Sequence, residues 1–247
     1  MPVYYLRRLT GARRTKRGNR HLARYLALIA GAVNAGGFLA LGHYTSHMSG
    51  VVAAMSDDLA TGRLRLFAIG VVSVVSFFSG AVLTTLLIRV ARARRMTSEY
   101  ALPLLMEALL LAGFALVGAR VLEWNLLLAI GYVCFAMGLQ NAVITKLSHA
   151  IIRTTHVTGM VTDTGILVGR WIFGRLVRSQ PMSAADVLSL RLLSSLVLLF
   201  FVGGLAGAVG FERVGWIFLL PLAVVLGALA VVPVMDDLKT TRERQAA

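Results

Sequence analysis

Thr45-Ser46-His47-Met48-Ser49-Gly50-Val51-Val52 occurs a second time in the chain, as Thr154-Thr155-His156-Val157-Thr158-Gly159-Met160-Val161. Both copies read hydroxyl, hydroxyl, His, apolar, hydroxyl, Gly, apolar, apolar. An Asn-Ala pair precedes each, Asn34-Ala35 and Asn141-Ala142, and an acidic residue follows each, Asp57 and Asp163. Long apolar runs lie on both sides of each copy. Polar, Gly-containing, duplicated stretches between apolar runs are where membrane proteins keep binding sites and pathways.

The totals support a membrane setting. Hydrophobic residues make up 57% of the chain and charged residues 15%, against about 25% charged in an average soluble domain. The formal net charge of +14 would suggest nucleic acid in a soluble protein, but here the charges sort by loop, so no nucleic-acid partner is expected. One cysteine, Cys134, allows no internal disulfide, and no zinc-type Cys/His spacing exists. No cofactor is expected.

Working outward, residues 1–24 form a basic tail with eight Lys and Arg, suited to anionic headgroups at about 1 kcal/mol per residue. From Tyr25 to Ser56 there are 32 residues without Asp, Glu, Lys or Arg, more than the ~20 that a crossing needs. The first span is therefore placed at 25–44, with 45–62 a partial helix that dips into the protein. Further spans follow at 66–88, 100–119, 124–145, 192–210 and 214–235. The second motif segment fills 146–170, and a polar, frayed tail starts at Asp236. With six crossings and the N-terminus inside, 21 of the 25 Lys and Arg fall inside, and the positive-inside rule puts both termini in the cytoplasm.

Each half, 25–119 and 120–235, reads span, motif, span, span. Three spans is an odd number, so the second half is upside down relative to the first. The expected fold is an all-α integral membrane protein of six transmembrane helices. They form two inverted three-helix repeats, each with a broken or partial helix after its first span. The motif hydroxyls can cap helix starts. Two such helices entering from opposite sides turn their partly positive N-terminal ends toward the middle, where they favour an anion. The candidate substrate-binding residues are Asn34, His47, Ser49, Gly50, Asn141, Thr155, His156, Thr158, Gly159 and Asp163. Close packing through small residues and hydroxyls is the competing use of the motif. His43 and His47, four apart, lack a third metal ligand, and no metal site is expected. Glu107, among leucines in the third span, is a proton-coupling candidate or a structural hydrogen-bonding group.

Several of these pieces together resemble the YoaK-type family of small bacterial inner-membrane proteins, a family of unknown function. They are Asn34-Ala35-Gly36-Gly37-Phe38-Leu39-Ala40-Leu41-Gly42, Ser46-His47-Met48-Ser49-Gly50, Glu107, Gly138-Leu139-Gln140-Asn141-Ala142, and Arg153-Thr154-Thr155-His156-Val157-Thr158-Gly159 with Asp163. The resemblance covers about 25–235 and implies a six-span protein of the bacterial inner membrane. The family often has Asp where this chain has Asn34, and Tyr where it has His156. If the family's Asp couples protons, Asn34 cannot.

The reading that follows is a transporter or channel for a small solute, anions being one class, sited at the repeat interface. A non-transporting scaffold or lipid-interacting protein is the alternative. An intramembrane enzyme built on Ser46 and His47 ranks below both, because neighbours on a helix point apart and no Gly-x-Ser-x-Gly turn is present.

Overall fold

The computed structural model describes residues 9–11, 15–147, 155–177 and 182–246. Among these, every regular element is helical: α1 (Lys16–Leu41), α2 (Met48–Ala60), α3 (Leu64–Ala93), α4 (Ala101–Trp124), α5 (Leu126–Leu147), α6 (Val157–Val177), α7 (Ala184–Val214), a short 3-10 turn (Gly215–Phe218) and α8 (Leu219–Ala246). Five segments are long and apolar enough to cross a membrane: Arg17–Leu41, Leu64–Ala93, Ala101–Trp124, Leu126–Leu147 and Ala184–Asp237. The last runs through both α7 and α8, and Gly215, at φ 60°, breaks it.

The helices are built for hydrocarbon. In α3 the buried positions include Gly70, Ser73, Gly80 and Thr84, while Val75, Phe78 and Leu86 point outward. Small residues inside and large apolar ones outside are the arrangement of a lipid-facing helix. Exposed apolar surface on this scale, continued by Leu116, Phe201 and Val224, exceeds what a water-soluble monomer carries.

Four glycines set the packing. A Cβ on Gly31 of α1 would lie 2.0 Å from the Phe200 carbonyl oxygen of α7, and one on Gly203 of α7 would lie 2.0 Å from that of Leu28. Between α3 and α5 the same contacts recur: Gly138 against the Phe77 carbonyl at 2.0 Å, and Gly80 against that of Phe135 at 2.1 Å. Only glycine permits backbones this close. Laying Asn34 on Asn141 puts Gly31 on Gly138 and Leu28 on Phe135; laying Gly80 on Gly203 puts Phe77 on Phe200. The two interfaces are the same interface made twice, each joining one half of the chain to the other.

The contacts also fix directions. Residues rise together along α1 and α7, from Arg24 with Ser195 to Gly36 with Phe211, so these helices are parallel. So are α3 and α5, from Ser76 with Gly131 to Thr84 with Leu139. In contrast α4 and α8 are antiparallel: Asp237 accepts from Thr97 and Ser98, Gly227 faces Ala108, and Trp216 packs edge-on against Phe114.

Two boundaries differ from those read in the sequence. Helix α1 starts at Lys16, inside the expected tail, because the Thr15 hydroxyl caps the Gly18 N–H at 3.1 Å. The C-terminal segment stays helical to Ala246 instead of fraying at Asp236; Asp237 is anchored by Thr97 and Ser98, which holds the helix past that point. The basic residues up to Arg8, with Arg13 and Arg14, and also Thr154 and Arg178, lie outside the described residues.

Candidate functional site

Helix α1 ends at Gly42, whose left-handed backbone (φ 66°) lets its N–H reach the Phe38 carbonyl. The chain then turns back along α1 instead of leaving it. Asn34, two turns before the helix end, catches the returning strand: its Oδ1 accepts from the Thr45 N–H at 3.1 Å, the Ser46 N–H at 3.0 Å and the Ser46 hydroxyl at 3.0 Å. Irregular backbone inside a membrane protein needs such internal partners. The second copy repeats the arrangement, with the Thr155 hydroxyl donating to the Asn141 Oδ1.

This corrects one expectation. The motif hydroxyls do not cap the new helix. The N-cap of α2 is His47, which makes no side-chain capping bond, while the Thr45 hydroxyl is buried without a partner. The first N–H groups of α2 therefore have no side-chain acceptor and face the space ahead of the helix. Each motif histidine folds over its own glycine. A Cβ on Gly50 would lie 2.2 Å from the His47 ring, and one on Gly159 would lie 2.3 Å from the His156 ring.

Both motif copies open on a single cavity of about 770 Å³. Asn34, His47, Ser49, Asn141, Thr155, His156 and Thr158 all line it. It lies at the level of Phe77 and Phe200, the midpoints of α3 and α7. Ser46, Tyr44, Met48, Thr145, Val157, Phe77 and Phe200 complete the wall. The two phenylalanines escaped the sequence reading, although a signal was present: Phe77-Phe78-Ser79-Gly80 recurs as Phe200-Phe201-Val202-Gly203.

The remaining candidates lie elsewhere. Gly50 and Gly159 support the histidine rings and are not part of the wall. Asp163 is exposed on α6, outside the cavity. Glu107 is fully buried in α4 and also outside it. His43 does not join His47: its Nε2 meets the Ser73 hydroxyl at 3.0 Å beside a smaller cavity. Among the described residues, no three His, Cys, Asp or Glu side chains gather as a metal site would require.

The family model described as "Protein of unknown function (DUF1275)" matches residues 22–232. No curated protein and no solved structure matches the chain.

Proposed function

Since the chain belongs to the DUF1275 family, whose function is unknown, we propose from its cavity that it is a transporter or channel for a small solute. The observation that carries this reading is the convergence of both motif copies on one mid-depth cavity. Its volume suits a small molecule.

Six crossings fit the helix directions. If α2 and α6 also crossed, α4 and α8 would be the fourth and eighth passes and would run parallel. They run antiparallel, as third and sixth passes must. At 13 residues, α2 spans about 20 Å, short of the ~30 Å hydrocarbon core. Thr10 donates to the Leu229 carbonyl in α8, consistent with both chain ends on one side. The charge count supports the cytoplasm as that side, and the resemblance to YoaK-type proteins supports a bacterial inner membrane. The duplicated glycine interfaces and the helix directions support two inverted repeats.

On this reading α2 and α6 run from the cavity toward opposite faces. Their N-terminal ends, with His47 and His156, meet at its walls and favour an anionic solute. A cavity lined by Asn, Ser, Thr and His side chains disfavours a dry scaffold. Catalysis by Ser46 and His47 is disfavoured because the hydroxyl donates to Asn34 while the ring lies over Gly50.

The test is uptake of labelled chloride, formate, phosphate and succinate into proteoliposomes holding folded protein. Flux of at least one, reduced by bulk introduced at Ser49 or Thr158, is the expected result. Absence of flux for all four would defeat the anion reading.

A further inference from the structure

Glu107 and Gln140 are both fully buried, and neither Glu107 carboxyl oxygen nor either polar side-chain atom of Gln140 has a hydrogen-bond partner. Two unpartnered polar side chains inside one helical bundle are costly and call for a use. They lie on helices that pack together. The Tyr132 hydroxyl donates to the Leu110 carbonyl at 2.9 Å and its ring stacks on Phe114. From this antiparallel register, Glu107 on α4 and Gln140 on α5 lie within about one and a half helical turns in height.

Gln140 also adjoins the cavity through the backbone. The next residue, Asn141, lines the cavity and accepts from Thr155 of the second motif. In the first half the position matching Gln140 is Val33, apolar and buried, and α1 has no polar side chain there. The polar connection exists in one half only, so it is not a by-product of the duplication.

We propose that Glu107 is the proton-binding site of the molecule and that Gln140 is its positioning partner, coupling proton occupancy to the second motif through Asn141. A carboxylate here has no cation beside it. Between Leu126 and Thr145 of α5 the titratable groups are Tyr132 and Cys134, with Lys146 at the helix end; α8 has none between Leu219 and Met235, its charged residues starting at Asp236; α3 has none between Leu66 and Ile88; the 3-10 turn has none. The charge balance open to the carboxyl is its own proton. On uptake an O–H bond forms at the carboxylate, on release it breaks, and no electrons move. Loss of the proton leaves an anion that only a donor can stabilise, and the Gln140 amide is an unpartnered donor on the helix packed against α4. Drawing that amide toward Glu107 shifts the α5 segment that holds Thr155.

This proposal rests on the transport reading for its purpose, but its test has a separate arm. Infrared spectra of purified wild type in phosphatidylethanolamine–phosphatidylglycerol vesicles are expected to show a protonated-carboxyl band. The band should vanish in Glu107→Gln, and in Gln140→Leu, which lacks the donor to the anion, it should persist to higher pH than in wild type. The flux arm uses inside-alkaline vesicles with an entrapped pH dye and chloride, formate or phosphate outside. Wild type should acidify the lumen with the anion. Glu107→Gln should lose this by about tenfold or more while still exchanging labelled anion. Absence of the band in wild type, or wild-type acidification by Glu107→Gln, would overturn the proposal. If no probe anion moves in wild type the transport reading fails, and the infrared arm alone decides the proton site.

Discussion

Asn34→Ala isolates the strongest link in the cavity wall. One oxygen accepts from two backbone N–H groups and one hydroxyl, and Asn34, Thr45 and Ser46 are all buried. Removing it strands two N–H groups that the chain cannot otherwise pair. Each buried, unsatisfied donor costs about 1–3 kcal/mol. Water from the cavity can relieve Ser46 in part, so a loss of about 2–4 kcal/mol is expected on that scale. Asn34→Asp keeps an acceptor oxygen in place, and three donors around it suit a carboxylate. Its stability should stay within about 1 kcal/mol of wild type. Unfolding in detergent, followed by tryptophan fluorescence with denaturant, measures both. A second readout is the reactivity of a cysteine placed at Thr45, buried in wild type, which should rise in the Ala background only. Equal stability of the Ala and Asp variants, or an Ala variant within about 0.5 kcal/mol of wild type, would refute the claim that this oxygen holds the returning strand.

Gly138→Val should prevent folding or cost more than about 3 kcal/mol, because its Cβ would meet the Phe77 carbonyl and force α3 from α5. Gly169→Ala, with nothing within 4 Å, should be neutral or stabilising by up to about 1 kcal/mol; denaturant midpoints decide both. Cysteines at Ser49 and Thr158 should react with a water-soluble thiol reagent in intact vesicles, while buried Cys134 does not; labelling followed by mass spectrometry reads the sites. Asp237→Ala removes the acceptor for the Thr97 and Ser98 N–H groups, and proteolysis of the α3–α4 connection should then speed up by about tenfold or more, in line with a loss of about 1–3 kcal/mol.

The motif was legible because both copies keep the same residue types in the same order, and its partner asparagines stand at nearly equal distances before it. Helix count and rough extents follow from apolar run lengths. The register of α3 on α5 and of α7 on α1 was not legible. It depends on which of many small residues meets a carbonyl: Gly80 and Gly203 do, whereas Gly165 and Gly169 meet nothing. Composition cannot separate the two groups. The capping expectation failed for a related reason. Ser46 is chemically able to cap α2, but Asn34 competes for its hydroxyl from twelve residues away, and only the three-dimensional fold brings it there. Asp163 follows its motif much as Asp57 follows the first, and that parallel does not reveal that its face points outward.

The duplicated glycine contacts bear on how such a cavity can open. Rocking one half against the other would slide α1 along α7 and α3 along α5. Both interfaces join opposite halves at glycines packed on carbonyl oxygens with no room even for a Cβ, and packed interfaces of this kind resist continuous sliding. The halves are interlocked. Helix α2 packs chiefly on α3 and buries only Val51 and Asp58; α6 packs chiefly on α7, with only Met160 and Leu167 buried. Elements with so few buried apolar contacts open at the lowest free energy. On the proposed reading, access to the cavity is therefore governed by α2 from one face and α6 from the other, each pivoting at the asparagine that holds its motif, while the four glycine-packed helices stay fixed. A disulfide joining α2 to α3 near Met55 and Gly70 should then stop flux without altering the cavity; undiminished flux with that bond formed would place the moving part elsewhere.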